Sequence, residues 1–369
     1  ATTEIYTLSL HDALPIFYVV ALMGHPHQSD DIEVEKYFHV PGQDLVFRWV
    51  APEKGGLEGM DSVMAKCGAD MAHLMGRKRN SNECFGACNR EGNPWHFTGA
   101  DMKWYIDWLA VRGVNLFIPH AFYYSLRGRR SSERPPDVGP GNIWWPHYRL
   151  WANYMARLSC LMAEGKTQCS IAVLCKNREL MPEKVAPLFK TQRGFRYIPE
   201  SVWSECREEN GFLRYGEERY QAVIGGEEAF PQASRDVTRV VPDCLCASPQ
   251  PDLRVAHVIL RERDCWFCVN EGDQVIETHF SLCKHDKTRH IKTYEARVEG
   301  GEDVSVEADA EDMAELYVNG QFRGVAFWPR QPIRVPSEYL NRGSNELRLV
   351  VTGSKANQYG NRPVFYGLR

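Results

Sequence analysis

Between Phe17 and about Gly165 the chain alternates short apolar runs with helix-spaced segments, and this alternation constrains its fold more than any other feature. Phe17–Met23 is a continuous apolar run, as a buried parallel strand requires, and it ends in Gly24, His25, Pro26 and His27. Leu45–Val50 reads as a second strand, Met60–Met75 as a helix and Asn80–Cys84 as a third strand. Thr98 with Asp101 three residues on forms a capping box that opens a helix through Met102, Tyr105, Ile106 and Leu109, with Gly113 as its stop. Val114–Ile118 is another buried strand, and Tyr148–Met162 a last amphipathic helix. Repeated strand-then-helix units imply a parallel sheet, either open and doubly wound or part of a (β/α)₈ barrel. No G-x-G-x-x-G or P-loop follows any strand, which argues against nucleotide binding. The polar residues after the strands favour the barrel, whose chemistry gathers at the C-terminal strand ends. A whole barrel needs about 250 residues, so 17–165 is expected to be its C-terminal half.

Cys169–Cys175 is a further buried strand, and 166–243 reads as a small α/β segment. Asp243–Asp252, with three prolines, reads as a linker. From Leu253 the pattern changes to period two, at Val255–Leu260, Trp266–Val269, Ile276–Leu282, Val304–Ala308, Glu315–Val318 and Glu346–Val351. Turn signals such as Asn319-Gly320 punctuate these runs, so 253–369 is expected to be a β-sandwich.

The formal net charge of −4 gives no phosphate-binding surface, so no nucleic-acid partner is expected. No apolar run reaches the roughly 18–20 residues that span a bilayer, so no membrane partner is expected either. The 12 cysteines are scattered, and Cys160, Cys169, Cys175, Cys265 and Cys268 sit in apolar or alternating segments. That pattern suits reduced, buried thiols of a cytoplasmic protein. Cys265 and Cys268 form a C-x-x-C with no second pair at zinc-site spacing.

Glu83 is the first candidate for chemistry. A Glu at a barrel strand end, flanked by Ser81, Asn82 and Gly86, can point into the mouth, where glycoside cleavage needs paired carboxylates. The plain alternative is a salt-bridged strand-end Glu. His25 and His27 form an H-x-H that could hold a divalent metal with His120 and with Asp30 or Asp31, as in a metal-dependent amidohydrolase. The simpler role for these histidines is hydrogen bonding to sugar hydroxyls or to loop backbone. Trp95, Tyr123, Tyr124, Trp144 and Trp145 are aromatic faces on which sugar rings could stack, or else loop core. Arg127, Arg129, Arg130 and Arg134 form a basic loop that would suit an acidic sugar or simply solvent.

Several segments together resemble glycoside hydrolase family 106, the α-L-rhamnosidases and their relatives. They are S-N-E at 81–83, D-M-K-W-Y-I-D at 101–107, G-V-N-L-F-I-P-H-A-F-Y-Y-S at 113–125, W-W-P at 144–146, Y-M-A-R-L-S at 154–159 and I-A-V-L at 171–174. The H-P-H-Q-S-D-D-I-E-V-E-K-Y-F block at 25–38 suggests a separate branch, and His120-Ala121-Phe122 stands where rhamnosidase-like sequences carry His-Gly. Residues 304–368, with L-Y-V-N-G at 316–320, G-S-N-E-L-R-L-V-V at 343–351 and A-N-Q-Y-G at 356–360, resemble the sugar-binding sandwich of family 2 hydrolases. The resemblance implies an α/β plus all-β chain: the C-terminal part of a (β/α)₈ barrel, a small α/β segment and a jelly-roll, galactose-binding-like sandwich. It implies Glu83 as one catalytic carboxylate, with its partner acid on an upstream strand, so that this stretch alone would be inactive. His25, His27, Asn82, Trp95, His120, Tyr123 and Tyr124 are the expected substrate-binding residues, and a carbohydrate is the expected partner. No cofactor is expected, a structural calcium in a longer parent aside; a non-catalytic carbohydrate-binding protein is the remaining alternative. Residues 1–16, ATTEIYTLSLHDALPI, resemble a translated sequencing adapter, so the natural reading frame is expected to begin near Phe17.

Overall fold

A computed structural model describes residues 32–86, 93, 95–120, 125–131, 139–283, 291–293, 304–307, 313–328, 330–340, 345 and 347–352. The adapter-like stretch and the expected strand at Phe17–Met23 lie outside the described residues. The first layer is β1 (Gly42–Asp44), α1 (Asp61–Leu74), β2 (Ser81–Cys84), α2 (Gly99–Val111), β3 (Leu116–Pro119) and α3 (Tyr148–Glu164). The three strands are parallel in the order β1-β2-β3, the sequential order that a (β/α) barrel uses. Among the described residues no barrel closes.

The capping box is present: the Asp101 backbone N–H donates to Thr98 Oγ1 at 3.1 Å, and the Thr98 N–H donates to Asp101 Oδ2 at 3.1 Å. The strand expected at Leu45–Val50 is a 3₁₀ turn over Phe47–Val50, with the strand displaced to Gly42–Asp44. The cause is packing: Leu45, Phe47 and Val50 are fully buried, and the Phe47 ring meets those of Phe97, Trp104 and Tyr105 edge-on. A short apolar run carries no periodicity that separates a strand from such a turn.

The chain continues with β4 (Lys166–Thr167), β5 (Ile171–Cys175), α4 (Pro182–Lys190) and β6 (Phe195–Pro199). The antiparallel β7 (Cys206–Glu209), β8 (Phe212–Tyr215) and β9 (Glu218–Tyr220) follow, and then β10 (Ala222–Ile224). Strands β10, β5 and β6 make a second parallel sheet in that order. Helix α1 is buried on nearly all sides because it lies between the two parallel sheets. Its Met64 and Ala65 join the core around α2, while Val63, Cys67 and Met71 pack with Ile171, Val173 and Tyr197. Helix α1 packs on β1 at Gly68, where an added Cβ would stand 3.8 Å from Gly42 Cα, in ordinary van der Waals contact.

Next come β11 (Cys244–Cys246), β12 (Leu253–Leu260), β13 (Arg263–Asn270), β14 (Phe280–Cys283), β15 (Ile291–Thr293) and β16 (Val304–Val306). The last strands are β17 (Met313–Val318), β18 (Gln321–Ala326), β19 (Ile333–Val335) and β20 (Leu347–Thr352). The segment expected to be a linker contains β11, which pairs with β14, and Asp243 and Cys244 are buried. Strand β12 pairs with β13 on one side and with β4 on the other, so this hairpin is tied to the segment before it. Two non-glycine residues at positive φ, Arg261 and Glu262, make its two-residue turn. A buried ion triad locks the hairpin to α2. Arg112 Nη1 meets Glu271 Oε1 at 2.6 Å, Arg254 Nε meets Glu271 Oε2 at 2.9 Å, and the Arg112 and Glu271 side chains are 0% exposed. Farther on, β18-β17-β20 form an antiparallel sheet, and the β16–β19 pair is antiparallel. The predicted Asn319-Gly320 turn joins β17 to β18 with φ of +50° and +76°. Met313, Val325 and Phe327 enter the same core as α2 and α3.

Cys67, Cys84, Cys175, Cys206 and Cys244 are buried free thiols. Cys160 and Cys268, expected inside, face solvent. Cys160 falls off the Trp151, Met155, Leu158, Met162 stripe by which α3 is buried. No helix of the described residues is long and apolar enough to cross a membrane.

Candidate active site

The C-terminal ends of β1, β2 and β3 bring together the residues with the most chemistry. Asp44, Glu83 and Ile118 are register partners across the three strands. Strand alternation puts them on one face, with Gln43, Asn82 and Phe117 on the other. The second face is the helix side: the Gln43 Cγ lies 3.8 Å from where a Cβ on α1's Gly68 would stand, and Phe117 packs against the core around α2. Asp44 and Glu83 therefore share the face turned away from the helices. Neighbouring strands run about 4.8 Å apart, so the two carboxylates stand about 5 Å from each other at their roots. Glu83 is half-buried and Asp44 buried.

Sequence reasoning missed Asp44, although the Gly42-Gln43-Asp44 signal was present. Placing the strand three residues late made Asp44 a residue before a strand instead of one at its end. Asp44 therefore stands beside Glu83 as a second carboxylate at the strand ends.

His120 follows β3 directly, and its backbone N–H donates to Cys84 O at 2.7 Å. Its ring lies against Gly86, where an added Cβ would come within 3.5 Å of His120 Cγ. Two aromatic residues beside this corner, Phe85 and Trp95, have φ of +70° and +67°. Such strained backbone in bulky residues persists only where the surroundings enforce it, and it gathers at functional sites.

Trp95 is buried, and its indole N–H donates to Ser131 O, so it holds the 128–131 turn from beneath rather than offering a face to a sugar. Asn82 is 0% exposed on the helix side, and its carboxamide Nδ2 and Oδ1 have no hydrogen-bond partner among the described residues. Trp144 is buried, whereas Trp145 is half-buried and stacks on Tyr148 at 5.4 Å. Burial, with Cys84 nearby, pushes the Tyr148 hydroxyl well above its usual range, so it stays a neutral donor. Arg127 and Arg129 are exposed. His25, His27, Asp30, Asp31, Tyr123, Tyr124 and Arg134 lie outside the described residues. Among the described residues no group of three or more His, Cys, Asp or Glu could hold a metal ion.

A buried carboxyl supports the pair from below. Glu35 Oε2 accepts from the Gly42 backbone N–H at 2.9 Å, and Glu35 Oε1 accepts from the Gln43 carboxamide, so Glu35 anchors the start of the strand that ends in Asp44. Burial pushes its pKa up to about 8 against the lowering effect of those two bonds.

No family model matches the sequence. No curated protein matches it. Among solved structures the chain is similar to a rhamnosidase from Novosphingobium sp. PP1Y, with a TM-score of 0.62, 13% identity and 89% of this chain covered. The chain spans about half the length of that rhamnosidase, 48% of its chain. At this identity the likeness is one of fold.

Proposed function

We propose that the ends of β1–β3 form one wall of a glycoside-hydrolase active site acting on a carbohydrate of the rhamnoside type. The observation that carries this reading is the pairing of Asp44 with Glu83 on neighbouring strand ends of a parallel sheet. Glycosidic cleavage requires two carboxyl groups, one donating a proton to the leaving oxygen and one acting as nucleophile or base. The fold shared with a rhamnosidase supports the substrate class. In this reading His120, whose backbone is held by Cys84 O, would bond sugar hydroxyls, and the Trp145–Tyr148 stack would give the ring an apolar face.

Carboxyl groups about 5 Å apart serve the retaining mechanism, whereas inversion needs roughly 6.5–9.5 Å between them to admit a water, and strand neighbours root their side chains close enough for the first. NMR of the first-formed sugar distinguishes the two in the complete reading frame that encodes this chain. Retention, together with loss of turnover in Asp44→Asn, supports the pair. Inversion, or an Asp44→Asn variant of normal rate, would place the second carboxyl elsewhere and reduce Asp44 to a residue that positions Glu83. Sugar binding without any cleavage would favour a carbohydrate-binding protein instead.

A further inference from the structure

At the opposite end of the first sheet lies a cavity of about 110 Å³. Asn80 and Asn115, which precede β2 and β3, line it, and Glu83 is three residues farther along its strand, about 10 Å away. The ends of α1, α2 and α4 and the middle of β12 close it. Five cationic side chains line this space (Lys66, Arg77, Lys78, Arg112 and Arg193) against two carboxylates, Asp70 and Asp243.

Most of that charge is already matched. Lys66 pairs with Asp70, Lys78 with Glu164 and Arg112 with Glu271. Asp243 Oδ1 lies 4.0 Å from His257 Nδ1. The Arg77 and Arg193 guanidiniums differ. Arg77 Nη2 donates to Lys36 O at 2.7 Å and Arg193 Nε to Val240 O at 3.0 Å, and among the described residues neither meets a carboxylate. Arg77 Nη1 is buried with no partner among the described residues. Asn80, 4% exposed, spends its Nδ2 on Gly113 O at 2.8 Å, while its Oδ1 accepts nothing from them. Buried polar atoms of this kind are nearly always satisfied by something.

We infer that this cavity is a binding site for a small hydroxylated oxyanion, with Arg77 and Arg193 taking the anionic oxygens and Asn80 Oδ1 accepting from the hydroxyl. Guanidiniums suit carboxylate and phosphate oxygens, and the orphan acceptor selects for an O–H on the same molecule. The volume is close to that of a cavity of about 150 Å³ that takes a six-carbon ring, so the occupant is a few-carbon hydroxy acid or inorganic phosphate. The site stands independently of the glycosidase reading.

Isothermal titration of the whole chain with phosphate, sulfate, lactate and propionate tests it. Phosphate or lactate should bind with a dissociation constant of about 1 mM or tighter, each better than its hydroxyl-free counterpart. The tighter of the two identifies the source of the oxyanion. Arg193→Gln and Arg77→Gln should each weaken binding by at least about tenfold. Asn80→Leu should erase the preference for phosphate over sulfate and for lactate over propionate, and Glu83→Gln should leave binding unchanged. Absence of binding by all four anions would overturn the inference. So would equal binding by the wild type and a folded Arg193→Gln, the variant whose half-exposed side chain makes it the safer of the two for folding.

Discussion

Replacing Glu35 by Gln should change the pH dependence of stability rather than its value at mild acid pH. The Glu35 pKa rises from 4.5 in the unfolded chain to about 8 in the folded protein, because burial disfavours the charged form. Below pH 4.5 both states hold the proton, and the contribution of Glu35 to stability is complete. Between pH 4.5 and 8 the unfolded chain has released a proton that the folded protein keeps. Each pH unit in that window withdraws about 1.4 kcal/mol, so the whole window removes about 4 to 5 kcal/mol. In the protonated state a half-turn of the Gln43 carboxamide lets the Glu35 O–H donate to Gln43 Oε1, an atom otherwise without a partner among the described residues. Glutamine at position 35 can make the same two bonds, one accepted from Gly42 N–H and one donated to Gln43, without a titrating group. Urea unfolding at pH 5 and pH 8 is the assay. The variant should match the wild type near pH 4.5 and exceed it by several kcal/mol at pH 8. Parallel pH profiles for the two proteins would refute the reasoning, since they would mean that Glu35 is ionised in the folded state at neutral pH.

The other predictions concern how the site is held. Arg112→Ala leaves Glu271 buried with only Arg254 as its charge partner, and should destabilise by about 3–5 kcal/mol in chemical denaturation. Gly42→Ala drives a methyl into the side chain of Ser81 and to within 2.8 Å of its carbonyl oxygen. The hydroxyl can swing aside, but the carbonyl can clear the methyl only if the strand itself shifts, so β1 and β2 should be forced apart at a cost of about 1–3 kcal/mol, with activity falling as Asp44 and Glu83 separate. Thr98→Ala removes half of the capping box on α2 and should cost about 0.5–2 kcal/mol, read by thermal unfolding.

Local chemistry was legible in the sequence, and distant pairing was not. The box at Thr98 and Asp101 announced the start of α2 because it uses only neighbouring residues. Helix α1 and strand β2 each fall within one residue of the pattern-based bounds. The period-two rule found β12 and β13 as strands but could not name the partner on the other side of β12. That partner is β4, two residues long and too short to give any periodic signal. The Arg112–Glu271 contact spans 159 residues of sequence, and nothing local to either residue marks it. Asp44 was hidden for a different reason. Leu45, Phe47 and Val50 look like a strand in hydrophobicity, yet aromatic packing bends them into a turn, so the true strand end lay just ahead of the segment that drew the eye.

Turnover in the Glu83→Gln variant tests the central claim most directly. The substitution preserves shape and removes the reactive carboxylate. In the complete reading frame, with aryl α-L-rhamnoside and related aryl glycosides as substrates, kcat should fall by about 10³-fold or more with little change in KM, as when an interaction acts mainly in the transition state. A Glu83→Gln protein that turns over at a near-normal rate would show that Glu83 is structural and that the chemistry lies elsewhere.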